Sequence, residues 1–113
     1  MRSNEFGKEL RLLKKVDINR VYRKGLRIGG QLIRLIIMKN ELEYSRLGIS
    51  VPRKLCNAVK RNRWKRLLRE AFRLNRDKIR SGYDIIAIPL TEPNGIKMQN
   101  VESELVKLIS LRK

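Results

Sequence analysis

The chain has 113 residues, with 28 Lys and Arg against 11 Asp and Glu, and therefore carries a formal net charge of +17. The absence of histidine and the presence of one cysteine exclude an internal disulfide, a cysteine-rich zinc site and any Ser/His or Cys/His nucleophile pair. The length suits one domain over residues 1–113, and we expect it to be cytoplasmic, because no run approaches the ~20 apolar residues of a membrane span and the N-terminus has no signal-peptide core.

The chain is predicted to begin with a basic arm and a helix. We expect residues 1–9 to form a flexible arm and residues 10–24 to form the helix, with Asp17 either as its cap or in its first turn. The apolar residues Ile18, Val21 and Tyr22 recur at helical spacing and would share one face. Gly25 is expected to end this helix.

Two β-rich runs follow, at residues 32–39 and 44–51. In the second run, Leu47, Ile49 and Val51 alternate with polar or small residues, which is typical of a strand buried on one face. The connection at residues 40–43 indicates a hairpin, so we predict an antiparallel pair, with a further short strand before it.

The C-terminal half is predicted to contain a long helix, a strand and a last helix. The long helix covers about 57–77, with Asn57 as its N-cap. Residues 83–90 are apolar on both faces, as in a strand buried on both sides, and residues 98–111 form the last helix. Together these elements predict an α+β fold, a two-layer sandwich in the order αβββαβα.

Positive charge is concentrated in the long helix and its flanks. Residues 53–80 hold twelve basic residues against Glu70 and Asp77, a net charge of +10. On a helical projection the apolar residues, Trp64 among them, gather on one side. The other side carries a row of cations with Asn62 and Arg66 beside it, namely Lys65, Arg69, Arg73 and Arg76.

A solvated face would usually mix charges of both signs, because like charges one turn apart repel. A row of positively charged side chains therefore favours a polyanion as the partner, and nucleic acid above all. Arg66 is expected to pair with Glu70. The eleven acidic residues are scattered, so we expect neither a catalytic carboxylate pair nor a metal site in the protein.

The first helix and the sheet are predicted to line a groove for single-stranded RNA beside this charge. Tyr22, Ile18 and Ile36 would provide its apolar floor. The alternative for Ile18 and Ile36 is a plain core role, and Tyr22 suits either use. Trp64 is expected in the core.

Residues 57–73, read as NAVKRNRWKRLLREAFR, resemble the RNR signature of the bacterial ribonuclease P protein family. Residues 46–54 look like the family's strand leading into that signature, and residues 83–89 look like the strand after it. The resemblance covers about residues 10–110. It implies a fold like domain 2 of ribosomal protein S5, with a left-handed βαβ crossover.

The resemblance also implies a function. The family's holoenzyme removes the 5′ leader of precursor tRNA by endonucleolytic cleavage, with a catalytic RNA subunit that holds Mg²⁺ ions. The protein, in a 1:1 complex, binds that RNA and the leader. The alternatives that the residues leave open are a ribosomal or RNA-assembly protein without an enzymatic role and, less favoured, a protein that binds anionic membranes.

Matched by position, the family's motifs assign two sets of residues. The catalytic RNA would contact Arg53, Lys54, Lys60, Arg61, Arg63, Arg66 and Arg73. The leader cleft would be formed by Ile18, Tyr22, Ile36, Asn62, Lys65 and Arg69. The chain differs from the family pattern at Ile18 and Ile36, where aromatic residues are usual or frequent, and at Cys56, where glycine is common.

Overall fold

In a computed structural model that describes residues 11–12, 14–79 and 81–110, three helices and four strands follow the order αβββαβα. The elements are α1 (Lys15–Lys24), β1 (Leu26–Gly29), β2 (Ile33–Lys39), β3 (Arg46–Ile49), α2 (Ala58–Leu74), β4 (Tyr83–Pro89) and α3 (Met98–Ser110). The predicted α+β class and element order are confirmed. The arm predicted at residues 1–9 lies outside the described residues.

The strands form one sheet in the order β1-β2-β4-β3, so the last strand of the chain occupies a central position. β2 pairs antiparallel with both β1 and β4, whereas β3 pairs parallel with β4. The predicted hairpin between residues 32–39 and 44–51 is wrong, because β4 separates the two strands. β4 is apolar on both faces and buried along nearly its whole length, which a position between two neighbours satisfies and an edge position does not. The predicted additional short strand is β1.

The parallel pair makes β3, α2 and β4 a βαβ unit. A parallel connection needs a crossover, and here α2 supplies it. The left hand of that crossover stays a prediction.

The main core lies between the sheet and the pair α2 and α3. Trp64 and Phe72 of α2 meet Leu35 and Ile85 of the sheet, and all four side chains are almost completely buried. The indole Nε1 of Trp64 donates to the carbonyl oxygen of Thr91 at 2.8 Å, so its polar atom is satisfied within the core. The predicted core role of Trp64 is confirmed.

The opposite face of the sheet carries α1 and a smaller apolar cluster. Val21 of α1 packs there with Leu12, Ile36 and Ile86. Residues alternate between the faces of a strand, so Ile36 points to α1 while its neighbours Leu35 and Ile37 point to the main core. α1 therefore adds a partial third layer.

Helix α1 begins at Lys15, five residues later than predicted. The preceding Arg11 and Leu12 are extended instead, because Leu12 N donates to Leu47 O at 3.0 Å and Arg11 forms a parallel bridge with Leu47 at the edge of β3. The helix ends at Gly25 as predicted, although for a different reason. Gly25 has φ −73°, which suits any residue, but an added Cβ would lie 2.5 Å from Ile36 Cγ2.

Helix α2 has the predicted N-cap. The Asn57 side chain accepts a hydrogen bond from Lys60 N at 2.9 Å, as a capping asparagine does. The helix ends at Leu74 rather than near 77, since the buried side chain of Asn75 donates to Ala71 O. Helix α3 buries Val101, Leu105, Leu108 and Ile109.

Candidate nucleic-acid interface

One side of α2 forms a basic surface, which we call the α2 basic face. It is an open depression lined by Asn62, Lys65, Arg66, Arg69 and Glu70. Spacings of three and four residues bring these side chains together on one side of the helix, and the opposite side is fixed by the core. The structure thus brings together three predicted leader-cleft residues and Arg66. Glu70 bonds to Arg73 at 2.6 Å, so the predicted pairing of Arg66 with Glu70 is wrong.

The surroundings of Arg69 disfavour its positive charge. Burial and the nearby charge of Arg11 both lower the pKa of the Arg69 guanidinium. A lowered pKa means that the charged form is less favoured here than in water, and a neighbouring anion would relieve the cost. Arg69 is therefore well placed to bind a phosphate.

The other predicted RNA-binding residues differ in exposure and in the protein groups that they contact. Arg53 and Lys54 are exposed in the turn before α2. Lys60 forms an ion pair with Glu92 at 2.7 Å. Arg61 donates to Cys56 O at 3.0 Å, and Arg63 to Ile96 O at 3.3 Å. A guanidinium has five N–H donors, so each arginine keeps donors for a ligand while these bonds orient it.

The six predicted leader-cleft residues are divided between two surfaces. Ile18 and Tyr22 are half-buried residues of α1, which covers the sheet face opposite α2. Ile36 is 1% exposed and supports α1 from below, so its side chain offers no surface to a ligand and the core alternative describes it. The two surfaces meet at the edge of β3, where Leu12 joins the α1 cluster and Arg11 approaches Arg69.

The sheet face beside α1 carries two exposed arginines. Arg34 lies two residues from Ile36 and pairs with Ile88, and Arg27 pairs directly with Ile36. Residues directly opposite in a sheet share a face, so both arginines lie on the side of α1. We call Tyr22, Arg34 and Ile88 the α1-side surface, since it combines an aromatic ring, a cation and a half-buried apolar side chain. Arg27 was missed by sequence reasoning, because β1 was predicted without boundaries.

A network of charged groups connects α1 to the sheet. Arg46 of β3 donates from Nε to Asp84 Oδ1 at 2.8 Å and from Nη2 to Asp84 Oδ2 at 2.7 Å. Its Nη1 lies 3.6 Å from Asp17 Oδ2 of α1. The hydrogen bond to Asp84 raises the pKa of Arg46. The signal that sequence reasoning passed over is Asp84 itself, a carboxylate inside an apolar strand that needs a buried partner.

Within residues 11–12, 14–79 and 81–110, no three Asp, Glu or Cys side chains gather as ligands for a metal ion. In the same part of the chain, no helix is both long and apolar enough to cross a bilayer.

A predominantly cationic helix face and an aromatic-cationic sheet surface, which meet at one sheet edge, are typical of an RNA-binding protein, here one of the α+β class. Comparison with known proteins identifies the family. A family model described as Ribonuclease P matches residues 6–111. Ribonuclease P protein components of Clostridium botulinum (strain Loch Maree / Type A3) and Pelotomaculum thermopropionicum are 39% and 41% identical. These alignments cover 90% and 87% of this chain, and 93% and 88% of the relatives.

Solved structures agree with the sequence comparison. The ribonuclease P protein of Thermotoga maritima superposes with a TM-score of 0.84 at 32% identity, over 91% of this chain and 97% of that one. The Staphylococcus aureus protein gives 0.79 at 32% identity, over 92% and 95%. The chain belongs to the ribonuclease P protein family.

Proposed function

We propose that the chain is the protein subunit of ribonuclease P. It binds a catalytic RNA and the 5′ leader of precursor tRNA in a 1:1 complex in the cytoplasm. It thereby promotes Mg²⁺-dependent endonucleolytic removal of the leader. The observation that carries this proposal is the α2 basic face on a member of this family.

The α2 basic face would bind phosphates. Each cation that neutralises a phosphate releases counterions, which favours binding and makes it salt-dependent. Lys65 and Arg69 line one depression with Asn62, so a backbone that follows it meets two positive charges and an amide. α2 is fixed through Trp64 and its neighbours in the core, so the backbone positions from which these side chains project are set before RNA arrives.

The α1-side surface suits an unpaired strand. The ring of Tyr22 and the side chain of Ile88 offer contact to bases, and Arg34 offers charge to the backbone. A leader is single-stranded, so its bases are available for such contacts. Extra binding of the leader would raise the affinity for precursor tRNA over mature tRNA.

Chemistry at the scissile phosphate would fall to the RNA subunit and the Mg²⁺ ions that it holds, as the resemblance implies. The described protein residues contribute binding and orientation: the α2 basic face holds phosphates, and the α1-side surface holds bases. Holding a substrate in register with a catalytic centre can itself accelerate a reaction.

The first test is cleavage of a 5′-labelled precursor tRNA by a bacterial ribonuclease P RNA at low Mg²⁺, with and without this protein. We expect strong stimulation and the correct mature 5′ end. Absence of stimulation, with folding and RNA binding intact, would overturn the proposal and leave a ribosomal or RNA-assembly protein.

The second test locates the leader. In the holoenzyme, the double substitution of Lys65→Ala and Arg69→Ala should weaken binding of precursor tRNA more than that of mature tRNA. A matched control is the pair Lys78→Ala and Lys107→Ala, which removes the same charge from a separate depression between α3 and the segment that follows α2. Equal losses for both RNAs would argue against leader recognition by α2.

A further inference from the structure

Helix α1 depends on a few contacts for its position. Of its ten described residues, Val21 is buried, and a helix of this length is marginal by itself in water. Its N-cap is Lys14, whose side chain has no acceptor for the first N–H groups. Tertiary contacts must therefore determine where α1 lies.

Charge opposes this packing. Within α1, Lys15, Arg20, Arg23 and Lys24 are basic, and Asp17 is acidic. The helix packs on a sheet face that also carries Arg27 and Arg34. Like charges on facing elements repel, so beside the apolar contacts of Val21, Asp17 is the group of α1 that can be attracted electrostatically to the sheet.

The sheet presents a cation to Asp17 in a fixed orientation. Asp84 is 4% exposed and binds the Arg46 guanidinium through two hydrogen bonds, while Asn40 Nδ2 donates to Asp84 Oδ1 at 2.8 Å. This fork leaves Arg46 Nη1 directed at Asp17. The Arg46 side chain is 18% exposed, so it is oriented by the protein rather than by solvent.

Different contacts therefore position the two ends of α1. Near the N-terminus, Asp17 accepts a hydrogen bond from Arg20 of α1 through Oδ1 at 3.2 Å and directs Oδ2 to Arg46 of the sheet at 3.6 Å. At the C-terminus, Gly25 lets the chain pass close to Ile36. Tyr22 lies between these two points.

We propose that Arg46, held by Asp84, is a positioning residue whose ion pair with Asp17 fixes α1 over the sheet and so sets the geometry of the α1-side surface for single-stranded RNA. The inference rests on the proposed function, since it assigns leader recognition to that surface. Arg46 acts through α1 and need not touch RNA.

The test is Asp17→Asn, measured in the holoenzyme as the affinity for precursor tRNA and for mature tRNA at one salt concentration. The substitution removes a negative charge, so charge alone would tighten binding of both RNAs. Loss of positioning instead lowers the ratio of the affinity for precursor tRNA to that for mature tRNA. We expect this ratio to fall at least about threefold, because misplacing a binding group by ~1 Å can reduce activity far more than that. The fall should disappear for a substrate with a one-nucleotide leader.

Two control variants separate geometry from charge and from folding. Glu43→Gln, on the exposed turn before β3, makes the same charge change and should leave the ratio as in the wild type. Asp17→Glu keeps the carboxylate and should restore most of the ratio, even if Asp17→Asn lowers the thermal midpoint. An unchanged ratio in Asp17→Asn, or an equal fall in Glu43→Gln, would overturn the positioning role.

These outcomes are distinct from failure of the proposed function. If the wild-type protein neither stimulates cleavage nor favours precursor tRNA, the proposed function fails, and the positioning role fails with it. If the wild type does both and Asp17→Asn keeps the ratio, the positioning role alone is overturned.

Discussion

Lys60 and Lys65 are both lysines of α2, yet their surroundings differ. Lys60 Nζ is 2.7 Å from Glu92 Oε1, on the segment between β4 and α3, whereas Lys65 lines the open depression of the α2 basic face. A carboxylate bound to a lysine competes with any phosphate for the same ammonium group. Glu92 is therefore expected to weaken the contribution of Lys60 to RNA binding.

We predict that Glu92→Gln increases both RNA affinity and its salt dependence. Releasing one cation to contact phosphate should steepen the plot of log K against log salt by about 0.7–0.9. The measurement is a salt titration of binding to ribonuclease P RNA, with Glu43→Gln as the charge-matched control. A slope that steepens equally in both variants would show that net charge, rather than Lys60, is responsible.

Individual side chains were predictable from sequence to different degrees. The cations of α2 follow from helical spacing, because an apolar side fixes the opposite side. Ile36 could not be assigned between core and cleft, since its exposure depends on how closely α1 approaches, and Gly25 sets that distance. The contacts of Arg46 were equally hidden, because Asp17 and Asp84 are brought to it by tertiary structure.

At the scale of elements, the junction between α1 and β1 brings the end of the helix close to the sheet at Gly25. A Cβ on Gly25 would lie 2.5 Å from Ile36 Cγ2 and 2.6 Å from the Val21 carbonyl oxygen, which belongs to the backbone. Real Cβ atoms do not occupy such positions, so α1 would have to move.

We predict that Gly25→Ala lowers the free energy of unfolding by about 1–3 kcal/mol, the usual cost of overpacking. Gly29→Ala in β1 is the control, because its Cβ would meet no atom within 4 Å. That change should be neutral or stabilising by up to about 1 kcal/mol, since alanine restricts the unfolded chain. Urea denaturation measures both, and equal midpoints for the two variants would contradict the close packing at Gly25.

The helices and strands themselves were largely predictable, whereas the strand pairing was not. Periodicity located α2, α3 and β4 to within a few residues. The hairpin was predicted because strands that are consecutive in the chain usually pair. The prediction failed because a later strand, β4, inserts between them. The apolar pattern of β4 carried the correct information, since a strand buried on both faces requires two partners.

At the scale of the whole molecule, the formal charge of +17 on 113 residues opposes compaction. That net value already includes the acidic groups, some of which form ion pairs in the described residues, among them Asp84 with Arg46 and Glu70 with Arg73. The remaining cations repel one another, and dissolved salt screens that repulsion.

We predict that the thermal midpoint of the free protein rises as sodium chloride is increased from about 10 to 150 mM, over which the screening length falls from about 30 to 8 Å. A rise on the order of 5 °C would correspond to about 1 kcal/mol. Circular dichroism melts give the midpoint, and potassium acetate at equal ionic strength serves as the control for specific anion effects. A midpoint that falls with salt would mean that attraction within ion pairs outweighs repulsion.

The central position of β4 has a consequence for synthesis of the protein. Chains emerge from the ribosome N-terminus first, at about 5–20 residues per second, so the fifty residues from the end of β2 to the end of β4 take roughly 3–10 s to make. During that interval β1 and β2 can pair locally, but β3 has no strand beside it and the apolar side of α2 has no complete sheet to cover. The nascent chain therefore exposes an increasing apolar surface until β4 has been synthesised and completes the sheet. During this time, repulsion between positive charges would keep neighbouring nascent chains from associating.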